Sequence, residues 1–195
     1  MSIAIIKYNA GNVQSVLYAL QRLGIDAVVT DDAETIRNSG KVIFPGVGHA
    51  NAAMQYLRER GLDKLIISLK QPVLGICLGL QLLCKHSEEG DTECLKIFDT
   101  DVKLFPSVGQ KVPQMGWNNI TNYKSVLFND LKPDSFVYFV HSYYAALCNE
   151  TAATTDYALP YSSALQKNNF YAVQFHPEKS GTVGETILKN FIEIK

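Results

Sequence analysis

The chain has 195 residues, 47% apolar and 19% charged, the balance of one ordinary globular domain and not of a disordered or low-complexity polypeptide. Eighteen basic side chains against nineteen acidic ones leave a net charge of -1, so there is no electrostatic footprint for nucleic acid. The cysteines, Cys77, Cys84, Cys94 and Cys148, form no Cys-x-x-Cys pair, which argues against a zinc ribbon, a thioredoxin-like site or any other metal centre.

The opening MSIAIIKYNAG lacks the cationic start of a signal peptide. The longest apolar stretch, Val73 to Cys84, is far short of the roughly 20 residues that span a membrane. A cytoplasmic protein with reduced thiols is expected, with no membrane and no nucleic acid among its partners.

In chain order, Ile3–Tyr8 reads as a buried strand. Val13, Val16, Leu17, Leu20 and Leu23 mark one helical face, stopped by Gly24. A second strand covers Asp26–Thr30, and Asp31-Asp32 offers an N-cap to a short helix over Ala33–Asn38. Lys41–Phe44 is a third strand running into Pro45-Gly46-Val47-Gly48. Helical stretches over Ala50–Arg60 and up to Leu69 follow, then a strand over Val73–Ile76 and a helix from near Gly79 to Lys85. His86 reads as its solvated end.

Continuous apolar strands alternating with helices imply a parallel sheet covered on both faces. The second half changes character. Val102–Phe105, Asn118–Ile120 and Phe136–Val140 read as strands, and Ser163–Gln166 and Phe170–Phe175 flank a tight hairpin turn. An amphipathic helix carrying Ile187 and Phe191 closes the chain. The expectation is a single α/β domain over residues 1–195: a mostly parallel open sheet with helices on both faces and an antiparallel extension.

Gly75-Ile76-Cys77-Leu78-Gly79 lies where a buried strand meets a helix. It has the Gly-x-nucleophile-x-Gly form of a nucleophile elbow with Cys in place of Ser. Side chains at 75 and 79 would collide with neighbouring backbone. The turn aims the sulfur outward at a helix N-terminus, which favours a thiolate, and the Leu78 N–H faces a developing oxyanion. By itself the pentapeptide also fits a cysteine packed at a strand end.

His176-Pro177-Glu178 follows the strand Phe170–Phe175. Continued extension would place His176 and Glu178 on the same side, the carboxylate holding one tautomer of the imidazole. Together, Cys77, His176 and Glu178 supply nucleophile, base and orienter. Their chain order differs from that of the α/β-hydrolases. Pro45-Gly46-Val47-Gly48 ends a strand at the side of the sheet where such sites lie, and Gly46 or Val47 can present a second N–H to an oxyanion.

These blocks, with Leu80-Gln81 after the elbow, resemble the class I (triad-type) glutamine amidotransferases. Within that family the chain is similar along nearly its whole length to the glutaminase subunits of imidazole glycerol phosphate synthases. The likeness is carried by Tyr8-Asn9-Ala10-Gly11-Asn12, Met115-Gly116-Trp117-Asn118, Val140-His141-Ser142-Tyr143-Tyr144 and Lys179-Ser180. The family usually has His before Met-Gly-Trp-Asn, where this chain has Gln114.

The resemblance implies that Cys77 attacks the carboxamide of glutamine, giving ammonia and a glutamyl thioester that water hydrolyses, with no cofactor. Gly48, Gln81, Ser142 and Tyr143 would bind glutamine, with the oxyanion against Leu78 and the Gly46-Val47 loop. A (β/α)8-barrel cyclase subunit would be the heterodimer partner, contacted by Asn12, Trp117 and Lys179. The same blocks also fit paralogues that feed ammonia to sugar-modifying synthetases, and the fold hosts γ-glutamyl hydrolases and cysteine peptidases. A non-catalytic subunit would have no need of the three triad residue types.

Overall fold

Short apolar strands alternate with helices through the first half of the computed structural model, which describes residues 2–8, 12–107 and 109–195. The elements are β1 (Ile3–Ile6), α1 (Val13–Arg22), β2 (Ala27–Thr30), α2 (Ala33–Asn38), β3 (Lys41–Gly46), α3 (Ala50–Glu59), α4 (Leu62–Ser68), β4 (Val73–Cys77) and α5 (Leu78–Leu83). Local chemistry sets several boundaries. Gly24, at φ +73°, ends α1 in the left-handed conformation that glycine adopts at least cost. The Asp32 carboxylate accepts from Thr35 N–H and starts α2 at the expected residue.

The second half contains β5 (His86–Ser87), β6 (Thr92–Glu93), β7 (Asp101–Leu104), β8 (Gln114–Asn119), β9 (Phe136–His141), β10 (Tyr143–Ala145), β11 (Thr151–Tyr157), β12 (Leu159–Lys167), β13 (Phe170–Val173) and α6 (Gly181–Glu193). Single 3₁₀ turns cover Val126–Phe128 and Pro177–Lys179. The main sheet runs β2-β1-β3-β4-β13-β12-β10-β7-β5-β6, with β11 paired to β12. From β2 to β13 all neighbours are parallel. From β12 onward the pairing is antiparallel, except between β7 and β5, which run parallel.

Strand alternation divides the interior in two. Ala4, Ile6, Val42 and Phe44 pack with α3, α4 and α5 on one face. Ile3, Ile5, Ile43 and Ile76 pack with α1 and α6 on the other. The expected parallel sheet with helices on both faces is therefore what the chain builds.

Two expectations need correction. Strands 114–119 and 136–141 do not extend the main sheet but pair with each other as a separate ribbon. His86 is no helix end: α5 stops at Leu83, and His86 begins β5 and pairs with Asp91 at 2.9 Å. The ribbon depends on a partner strand that a local window does not contain, and His86 leaves the helix because α5 ends short of it and the chain turns back on β6. Among the described residues, no helix is long and apolar enough to cross a membrane.

Candidate active site

Parallel register brings the central pieces together. Gly46 lies opposite Cys77 across β3 and β4, and Val173 lies opposite Ile76 across β13 and β4. The segment leaving β13 therefore passes beside Cys77.

Cys77 ends β4 at φ +53°, ψ -107°, a conformation that costs a non-glycine residue roughly 1–3 kcal/mol and is held only by surrounding structure. The flanking glycines make room for it. A Cβ on Gly79 would stand 1.8 Å from the Phe44 carbonyl oxygen. On Gly75 it would stand 2.8 Å from Leu83 and 3.0 Å from the backbone of Gly79. Gly46 is equally constrained, at 1.8 Å from the Tyr8 hydroxyl. Cys77 is buried, its sulfur 3.6 Å from the Gln174 side-chain amide and 3.9 Å from the Val140 carbonyl.

His176 is wholly buried just beyond β13. Its N–H donates to the Tyr138 carbonyl, and its own carbonyl accepts from the Ser180 hydroxyl, which in turn accepts from Tyr138 N–H. Nδ1 lies 2.7 Å from Glu178 Oε1. The contact does not come from strand alternation, as the sequence suggested. Residues 177–179 form a 3₁₀ turn, opened by Pro177, that folds Glu178 back onto the ring.

Nε2 of His176 is buried without a hydrogen-bond partner among the described residues. Burial by itself would depress the imidazole pKa. The Cys77 sulfur and the Glu178 carboxylate outweigh it and push the value up to about 10.

Asn12, expected on a partner surface, turns its side-chain amide inward, donating to Glu178 Oε1 and lying 3.2 Å from His176 Nδ1. It thus joins the carboxylate and the imidazole from the start of α1. Trp117 and Lys179 are exposed, Trp117 packing edge-on against Tyr138 and Lys179 donating its backbone N–H to the His176 carbonyl.

A cavity of about 160 Å³ opens over the sulfur, lined by Val47, Gly48, Cys77, Leu78 and Gln81 on one side and by Ser142 and Tyr143 on the other. Gly46 lies in the strand ladder below it and does not reach the cavity. The Gln81 amide nitrogen donates to the Tyr143 carbonyl at 3.0 Å and to Gln174 Oε1 at 3.1 Å.

Glu89 also lines the cavity, and sequence reasoning missed it. One carboxylate oxygen accepts from Ala50 N–H at the start of α3. Its sequence context, Ser87-Glu88-Glu89-Gly90, looks like any acidic surface turn. Only the small β5–β6 hairpin carries it to the cavity. A larger cavity of about 410 Å³ lies at the end of α6, around Tyr171, Asn190 and Glu193, and is lined by none of the residues singled out above.

The family Glutamine amidotransferase class-I matches residues 4–194. The chain is 59% identical, over the full length of both proteins, to imidazole glycerol phosphate synthase subunit HisH of Bacteroides fragilis strain YCH46. It is 46% identical to the protein of the same name from Pasteurella multocida, over 98% of each. Among solved structures, a glutamine amidotransferase aligns with a TM-score of 0.75 at 19% identity, covering 97% of each chain. Another, from Thermotoga maritima, aligns at 0.66 and 17%, covering 98% of this chain and 80% of that one. At such identities these two speak for the fold alone. A strained cysteine beside a carboxylate-held imidazole is therefore found in a chain that belongs to the class I glutamine amidotransferases, in the family of imidazole glycerol phosphate synthase subunits HisH.

Proposed function

We propose that the whole chain is one glutaminase domain, which supplies ammonia to the cyclase subunit of an imidazole glycerol phosphate synthase in the cytoplasm. The observation that carries the proposal is Cys77, held at positive φ, beside a buried imidazole whose Nε2 has no hydrogen-bond partner among the described residues and whose pKa the sulfur helps to raise. The Cys77 sulfur attacks the carboxamide carbon of glutamine while Nε2 of His176 holds the thiol proton. Negative charge gathers on the carboxamide oxygen, against Leu78 N–H and the Val47-Gly48 loop. Collapse returns the proton to the departing nitrogen as ammonia leaves and a glutamyl thioester remains. Water, deprotonated by the same imidazole, releases glutamate.

Glu178 and Asn12 hold Nδ1 so that Nε2 does this work. The amino-acid end of glutamine rests on Gln81, Ser142 and Tyr143, and the Glu89 carboxylate suits its ammonium group. A cavity of about 160 Å³ favours a single amino acid over a peptide. Ammonia then passes to the partner, a (β/α)8-barrel cyclase expected to dock on the face carrying Trp117 and Lys179. The relatives' names, subunits of imidazole glycerol phosphate synthases, support a partner subunit.

The test is glutamate release from glutamine by the chain mixed with a candidate cyclase, with and without the histidine-pathway ribonucleotide. Stimulation by that ligand, abolished by Cys77→Ala, is expected. Release that ignores both ligand and partner points to a free-standing hydrolase and overturns the proposal.

A further inference from the structure

The cavity wall formed by Ser142 and Tyr143 is continued by His141, which also lines the cavity, and is held by polar groups that the reaction above does not use. Gln114, His141 and Tyr161 are all buried. Gln114 sits opposite His141 across the β8–β9 ribbon. The Tyr161 hydroxyl lies 3.0 Å from the Gln114 side-chain amide and 3.3 Å from His141 Nε2. His141 Nδ1 lies 2.7 Å from the Tyr143 carbonyl, which also accepts from Gln81.

Counting protons gives this chain a direction. The Tyr143 carbonyl can only accept, so Nδ1 of His141 carries a proton and donates. A neutral ring then has a lone pair at Nε2, and the Tyr161 O–H is the donor facing it. The neighbouring Thr155 hydroxyl gives its own proton to the Asn119 carbonyl. With its proton committed, the Tyr161 oxygen must accept from Gln114. The Gln114 amide nitrogen is otherwise buried without a partner, and rotating the amide by half a turn sets that nitrogen against Tyr161. One arrangement satisfies all three side chains: Gln114 to Tyr161 to His141 to the Tyr143 carbonyl.

We propose that Gln114, Tyr161 and His141 are positioning residues, a buried hydrogen-bond chain that fixes the Ser142–Tyr143 wall of the glutamine cavity and anchors it to the exposed β8–β9 ribbon. This rests on the glutaminase reading. The chain acts on substrate binding, and none of its hydrogen bonds reaches the sulfur or its imidazole. Gln114 neighbours Met115 and Trp117, which are 66% and 56% exposed, so whatever docks on the ribbon bears on the same wall.

Two measurements test it. Tyr161→Phe keeps the ring among Phe105, Phe139 and Tyr144 and deletes one hydroxyl. In the assembled synthase it should raise the KM for glutamine about tenfold with kcat changed less than about twofold. Gln114→Leu should act in the same direction, and Gln114→His, which retains an N–H donor, should restore a near-normal KM. An unchanged KM in Tyr161→Phe, or a fall in kcat without a change in KM, overturns the proposal.

Independently, ¹⁵N side-chain NMR of the unmodified chain, assigned with His141→Gln, should show His141 as the neutral Nδ1–H tautomer. The Nε2–H tautomer overturns the proposal. This readout needs no activity. A chain that releases no glutamate refutes the glutaminase reading, while the tautomer still reports on the hydrogen-bond chain.

Discussion

Gly79 shows how little freedom the elbow has. A methyl group there meets the Phe44 carbonyl oxygen at 1.8 Å, and backbone in a central parallel strand cannot give way cheaply. Gly79→Ala should destabilise the protein by at least ~2 kcal/mol, as overpacking in a close-packed interior does. Denaturant unfolding measures it, and a loss below 0.5 kcal/mol (about the size of an ordinary surface change) contradicts the stated contact. His141 makes a second residue-scale prediction. Burial pushes its pKa down to about 4, the Tyr143 carbonyl opposing and His176 adding to the effect.

A pKa depressed in the folded state means that the unfolded chain binds the extra proton between about pH 4 and its ordinary value near 6.5. The stabilisation is complete above about 6.5 and is lost as pH falls towards 4. The stability advantage of the wild type over His141→Asn should therefore shrink by roughly 3 kcal/mol across that interval. A pH-independent difference across that interval would show that His141 binds a proton as readily in the folded protein as in the unfolded chain.

At the scale of elements, the turn after β13 matters more than the strand itself. Ser180 accepts from Tyr138 N–H of β9 and donates to the His176 carbonyl, stapling the ribbon to the segment that carries the imidazole. Gly184 lets α6 approach the same turn, since a Cβ there would stand 1.9 Å from the Pro177 carbonyl oxygen. Ser180→Ala strands the Tyr138 N–H, while the His176 carbonyl keeps the Lys179 N–H, and should cost about 1–3 kcal/mol. Because the imidazole loses a tether, kcat should fall more than KM rises. Steady-state kinetics alongside thermal unfolding check both. Unaltered kcat in a destabilised variant would mean that the staple serves the fold alone.

For the whole molecule, the parallel half and the antiparallel half divide the labour. β3 and β4 present the sulfur and the Val47-Gly48 loop, and β13 delivers the imidazole and its carboxylate. The antiparallel half closes the cavity through Ser142 and Tyr143. Outside, Met115 and Trp117 stand two residues apart on β8 and both are exposed, a pair of large apolar side chains of the kind that anchors interfaces. Trp117→Ala should weaken association with the partner subunit at least tenfold, with an unchanged circular dichroism spectrum. Titration of the cyclase by calorimetry measures this, and an unaltered affinity moves the interface elsewhere.

What the residues alone determined were the features that local physics controls. Apolar runs, Gly24 and Asp32 set the first half of the fold nearly to the residue. Gly75 and Gly79 marked the turn because only glycine admits such close backbone. Short range also explains the failures: β10 and β11 carry no distinctive pattern, and the separate β8–β9 ribbon depends on a partner some twenty residues away. Glu89 reaches the cavity, Asn12 turns towards Glu178, and Gln114 meets Tyr161 only through contacts between distant segments. Tertiary structure decided these because an acidic turn or a half-buried amide has the same local sequence wherever it points; its role follows from what packing brings against it.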